Sequence, residues 1–221
     1  MTFEKLVIKP KGNTRFIFVR HGVTDANKGK PYVDEPKLDK EGHLQASKLA
    51  ERFAKSGVKI DVLYSSTLIR AYQTALYTSK TFTLPIIKSK ALVEVGDGYV
   101  QWENQMNDLP EESRYVSKEH LRLLKEEFKL IQKQIEKIEK ENTGKTVVIF
   151  THGGVIRLLR CYYNNQIDGV TKRNLKDTPW SENTAITILD KGANDKKYKL
   201  ILENDYKHLK VLSKSRSFDI K

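Results

Sequence analysis

The chain has 221 residues, a length that suits one large domain better than two small ones. Hydrophobic residues make up 38% of it, enough for a core, yet no apolar run approaches the ~18–20 residues of a membrane-spanning helix. The formal net charge is +12, with 40 Lys and Arg set against 28 Asp and Glu. The basic residues are spread along the chain with acids between them. That reads as a solvated surface whose field draws in small anions, so no nucleic-acid partner is expected. Cys161, the only cysteine, excludes an internal disulfide and a thiolate metal cluster. The segment from Met1 to Lys11 lacks the apolar core of a signal peptide, so a soluble cytoplasmic protein is expected.

In chain order, Arg15 to Val19 is an aromatic and β-branched run that reads as a buried strand. Asp39 to Ser56 carries helical periodicity, with Leu44, Leu49 and Phe53 near one face and Gly57 as its stop. Asp61 to Tyr64 is a second strand and Thr67 to Ser79 a second helix, followed by the apolar run Leu84 to Ile87. Gly96 to Arg114 is polar and reads as an insertion or lid, of about residues 96–116. Ser117 to Glu141 is the longest helix, with Leu121, Leu124, Phe128, Ile131, Ile135 and Ile138 at three- and four-residue steps. Thr146 to Phe150, Ala185 to Leu189 and Tyr198 to Leu202 are further strands. Residues 1–204 form one domain on this reading, and the polar, basic stretch 205–221 is a tail. Strands alternating with helices define an α/β class with a mostly parallel sheet.

Chemistry gathers at the predicted strand ends. Arg20-His21-Gly22 follows the first strand directly, where ligands of open α/β sheets bind. Gly22 would let backbone approach such a ligand. Thr151-His152-Gly153-Gly154 repeats the design and opens a helix, whose first N–H groups, Gly153 among them, suit an anion. Arg70 lies in the first turn after Tyr64-Ser65-Ser66, with the Ser-Ser turn capping the helix. Phosphoryl transfer accounts for the set. The transferred group spreads negative charge over its equatorial oxygens, which guanidinium forks neutralise. An unprotonated imidazole can attack phosphorus while its other nitrogen is pinned by an acceptor. A leaving alkoxide then needs a proton donor, and Glu94 is the candidate, since a carboxyl beside a phosphate dianion has its pKa raised.

Five blocks in order, FVRHGVTDAN, LDKEGHLQA, YSSTLIRAYQTA, LVE and VVIFTHGGVIR, resemble the histidine phosphatase superfamily, the phosphoglycerate mutase-like proteins. The resemblance spans about Arg15 to Leu189. It implies a three-layer α/β/α sandwich and a chemistry that needs no metal and no cofactor. It also implies His21 as the phosphorylated nucleophile, Arg20, Arg70 and His152 around the phosphate, Asn27 touching phosphate or substrate, and Glu94 as proton donor. Ser65, Ser66, Gly42, Gln45 and Ala46 match structural positions, while Asn183 and Thr184 match a strand start of unassigned role. Val23 replaces the usual acidic residue after the RHG triplet, and the loop Gly98 to Asn104 departs from the family pattern. Asp97 stands where the mutases carry an aromatic, and their later arginine pair is missing, so a hydrolase of small phosphorylated metabolites is expected over a mutase. A phosphoprotein phosphatase and a non-catalytic phosphate-binding module are the competing readings. Nothing in the pattern fixes an oligomeric state.

Overall fold

A computed structural model describes residues 3–29, 35–95, 118–164 and 178–210. The strands are β1 (Thr14–Arg20), β2 (Val62–Ser66), β3 (Ile86–Ser89), β4 (Thr146–Thr151), β5 (Ile186–Lys191) and β6 (Lys199–Asp205). The helices are α1 (Lys40–Ser56), α2 (Ile69–Phe82), α3 (Lys118–Glu141) and α4 (Gly153–Tyr163). The strands form one six-stranded sheet in the order β3-β2-β4-β1-β5-β6. Pairings among β3, β2, β4 and β1 are parallel, while β5 runs antiparallel to both β1 and β6. The mostly parallel α/β architecture expected from the alternation is therefore the one observed.

Strand periodicity explains the layering. Successive side chains point to opposite faces of a sheet. On β1, Phe16 and Phe18 join Val147 and Ile149 in a buried cluster with Leu124, Phe128, Ile131, Ile135 and Ile138 of α3 and with the apolar residues of α4. Ile17 and Val19 face the other way, with Val148, Phe150, Leu49 and Phe53 of α1, and Ala75 of α2. The sheet is thus sandwiched, α3 and α4 on one face and α1 and α2 on the other. Side-chain positions for Leu121 and the expected lid at 96–116 lie outside the described residues. No helix among the described residues is long and apolar enough to cross a membrane.

One expectation about α1 needs correcting. Leu44 is 44% exposed, so the buried stripe runs through Leu49 and Phe53 without it. The first turn of α1 is instead anchored by polar and backbone contacts. Asp39 caps α1 by accepting from the Gly42 N–H at 2.7 Å, and that first turn presses backbone to backbone on the loop after β1. A Cβ on Gly42 would overlap the Val23 carbonyl, and one on Gly22 would sit 2.6 Å from the Gly42 oxygen. Gly42→Ala should therefore cost about 1–3 kcal/mol, as overpacking of a rigid site does, read as a lower midpoint in urea at unchanged slope.

Residues 205–209, assigned by composition to the tail, are tied into the fold. Asp205 ends β6, and its carboxylate accepts from Arg52 Nη1 and Nη2 on α1 at 3.0 and 2.9 Å and from the Phe3 N–H at 3.0 Å. Burial alone would raise the Asp205 pKa, but the Arg52 guanidinium and two backbone N–H groups hold it below the usual value. Its stabilising contribution is thus complete above the unfolded-state pKa, about 3.9, and is lost as pH falls through the lower folded value. Asp205→Ala strands a buried guanidinium and should cost about 3 kcal/mol. Glu4, which also bonds Arg52 at 2.7 Å, keeps the loss at that lower end.

Candidate active site

The strand order places the ends of β2, β4 and β1 side by side. Thr151 pairs with Arg20 across the β4–β1 ladder, so the residues that follow each, His152 and His21, emerge together. Their ring centroids are 5.3 Å apart with planes at 58°. Both are buried, His21 at 3% exposure and His152 at 0%.

The hydrogen bonds fix the tautomer of His21. Its Nδ1 lies 2.8 Å from the Gly22 carbonyl oxygen, which can only accept. Nδ1 therefore carries the proton and Nε2 keeps its lone pair. Burial, then the charges of Arg20 and Arg70, push the His21 pKa well below 6.5, so the ring is neutral near pH 7. Burial first, then repulsion from a protonated His21 and from the Arg70 and Arg20 guanidiniums, likewise hold the His152 pKa well below 6.5.

His152 Nε2 lies 2.8 Å from Ser66 Oγ. That oxygen also accepts from the Leu68 N–H at 3.2 Å, and its hydroxyl proton can go to the imidazole. With Ser66 as the donor, the proton of the neutral His152 ring is on Nδ1. This Nδ1 and Arg70 Nη1 are both buried and have no hydrogen-bond partner among the described residues. Two buried donors left over beside a neutral imidazole are what an oxyanion would satisfy. Arg20 is held from behind, its Nη1 donating to the Ser181 carbonyl at 2.5 Å.

Glu94 lies beyond β3, two residues past a 3-10 turn at Lys90–Leu92. Its Oε1 accepts from the Gly154 N–H and from the Val95 N–H, each at 3.1 Å. Burial raises its pKa above the usual carboxylate range, and the two N–H groups with Arg70 and Arg20 offset only part of that rise. The contact needs a glycine, because a Cβ on Gly154 would lie 2.6 Å from Oε1. Gly153, the other member of the pair, is covered by the Trp180 ring, 2.9 Å from where its Cβ would be, and by Arg20 Nε at 3.3 Å. Arg157 lies 5.0 Å from the centre of the same Trp180 ring.

The structure thus brings together His21, His152, Arg20, Arg70 and Glu94, whereas two expected phosphate contacts are used otherwise. The Gly22 N–H donates to Thr74 Oγ1 at 3.0 Å, and its missing side chain makes room for α1. Asn27 sits on an exposed 3-10 turn, and its Oδ1 accepts from the N–H and the hydroxyl of Thr24, each at 3.0 Å, leaving only Nδ2 for a ligand. Ser65 and Ser66, read as a helix-capping turn, belong to β2; the α2 N-cap is Leu68, with no side-chain cap bond. Sequence reasoning missed the partnership of Ser66 with His152. The residue's place three before the helix was visible, but not that β2 would end beside β4. No group of three or more His, Cys, Asp or Glu suited to holding a metal occurs among the described residues.

An α/β sandwich with paired imidazoles and guanidiniums at the ends of adjacent strands defines a class of phosphate-handling proteins. Residues 16–204 match the family model of the histidine phosphatase superfamily (branch 1), and the chain belongs to that family. It is 29% identical over 161 residues to phosphoserine phosphatase 1 of Hydrogenobacter thermophilus, covering 66% of this chain and 74% of that one. It is 32% identical over 160 residues to a metal-independent phosphoserine phosphatase of Arabidopsis thaliana, covering 66% and 67%. Among solved structures, a phosphoglycerate mutase of Bacillus anthracis superposes with a TM-score of 0.69 at 19% identity, over 90% of this chain and 96% of that one.

Proposed function

We propose that the protein is a metal-independent phosphatase that hydrolyses the phosphate monoester of a small metabolite through a phosphohistidine on His21. The observation that carries this reading is the His21 Nδ1 bond to the Gly22 carbonyl, which leaves Nε2 unprotonated beside the buried donors of Arg70 and His152. In the first half-reaction the Nε2 lone pair attacks phosphorus, the N–P bond forms and the P–O ester bond breaks. Glu94 gives its proton to the departing alkoxide, while Arg20, Arg70 and the His152 Nδ1–H neutralise the equatorial oxygens. In the second, water attacks phosphorus and gives its proton to the Glu94 carboxylate. The N–P bond then breaks, its electrons return to Nε2, and inorganic phosphate leaves.

Hydrolysis is favoured over a mutase cycle by Asp97 at the aromatic position and by the missing arginine pair. The two phosphoserine phosphatases among its relatives put phosphoserine first among the substrates to try. The test is phosphate release from phosphoserine, 3-phosphoglycerate and p-nitrophenyl phosphate in excess EDTA. Release that persists in EDTA is expected. Release only on adding a divalent metal, or phosphoglycerate isomerisation outpacing hydrolysis, would contradict the reading.

A further inference from the structure

The carbonyl of the proposed nucleophile is itself held, and the hold begins far from the site. Asn183 Nδ2 donates to the His21 oxygen at 2.9 Å. The Thr184 N–H donates to the Arg20 oxygen at 3.0 Å and more weakly to the His21 oxygen at 3.4 Å. Thr184 does this in the left-handed region, at φ 56°, a conformation a β-branched residue adopts only when its surroundings enforce it. Those surroundings form a single oriented chain of donors. The Thr184 hydroxyl donates to the Asn183 carbonyl at 2.7 Å, so its oxygen accepts from His208 Nε2 at 2.9 Å. His208 Nδ1 in turn accepts from Arg52 Nη1 at 3.4 Å. Arg52 is fixed by Asp205 and Glu4. Burial first, then the Arg52 charge, push the His208 pKa down to about 4, while Asp205 and Glu4 pull weakly the other way; the neutral ring that the chain requires is the form present near pH 7.

We propose that Asn183 and Thr184 are positioning residues for His21, locked by the turn at Lys207–Leu209, so that residues 205–209 set the aim of the nucleophile rather than merely closing the fold. The inference rests on His21 being the nucleophile. Bonds to the Arg20 and His21 carbonyls fix the backbone from which the imidazole projects. A displacement of that backbone lengthens the attack distance without removing any group that binds phosphate, so it lowers kcat more than it raises KM.

The test compares Thr184→Val, Thr184→Ser and the unaltered enzyme. Valine keeps the shape and the β-branching, hence the same backbone strain, and loses only the hydroxyl. Serine keeps the hydroxyl. Each is assayed by rapid quench with p-nitrophenyl phosphate, in which the phenolate burst counts the sites able to form phosphohistidine, so any unfolded fraction drops out. Thr184→Val is expected to phosphorylate about tenfold more slowly per counted site, with KM changed less than about threefold, and Thr184→Ser to recover most of the loss. His208→Phe, which empties the other end of the bond, should match Thr184→Val. A Thr184→Val rate per site within about twofold of the unaltered enzyme would overturn the inference. Failure to trap any phosphate on His21 of the unaltered enzyme during turnover would instead overturn the phosphohistidine reading on which it rests.

Discussion

His21→Ala is expected to lower kcat by at least about 10⁴-fold on every phosphate ester, because it removes the atom proposed to bond phosphorus. The loss should not come through the fold. Among the described residues the ring bonds only the carbonyl of its own neighbour, Gly22, and its backbone N–H, which donates to Thr151 at 3.0 Å, survives the substitution. Arg20, Arg70 and His152 remain, so orthovanadate or inorganic phosphate should still protect the variant against thermal unfolding. Activity within tenfold of the unaltered enzyme would exclude the imidazole as nucleophile, leaving the cluster as a binding site only.

Glu94→Gln should produce an effect whose size depends on the leaving group. Nitrophenolate departs without a proton, so the first-turnover rate of its release should fall less than about tenfold, although later turnovers also lose the base for water. An alkoxide such as that of phosphoserine needs the proton, and its release should fall about 10²- to 10⁴-fold. The pH profile on the alkyl ester follows from the same two groups. His21 must be neutral, and burial with two neighbouring guanidiniums places its protonation well below 6.5, so the acidic limb lies under that of an ordinary imidazole. Glu94 must carry a proton, so the rate falls as pH rises through its raised value, and bound phosphate dianion moves that limb further up. Glutamine should abolish the alkaline limb and leave the acidic one. Equal losses on both esters in the first turnover would remove Glu94 as the acid.

The candidate site was legible in the sequence because its members sit at or just after strand ends. A run such as Arg15 to Val19 announces a buried strand, and an Arg-His-Gly at its end has one place to go in an open sheet. What sequence could not supply was anything set by register or close approach between segments. Gly22 was read as making room for a ligand, but the atom that would strike its side chain is the Gly42 oxygen of α1. Ser66 gained an imidazole partner only because β2 pairs with β4, which the chain order hides. The stretch from Asp205 is polar enough to read as a tail, yet Asp205 and His208 are buried, since each finds a charged or hydroxyl partner on a distant element. Composition reports the polarity of a segment and not whether that polarity is satisfied inside the fold.

In the proposed mechanism two imidazoles and two guanidiniums surround one phosphoryl group, and His21 becomes bonded to it. Acid-free quenching of the enzyme during turnover of p-nitrophenyl phosphate, followed by peptide mapping, measures this directly. The expected result is phosphate that is stable in alkali, labile in acid, and located on the peptide holding His21. Turnover with no such phosphate, or with the label on another residue, would contradict it.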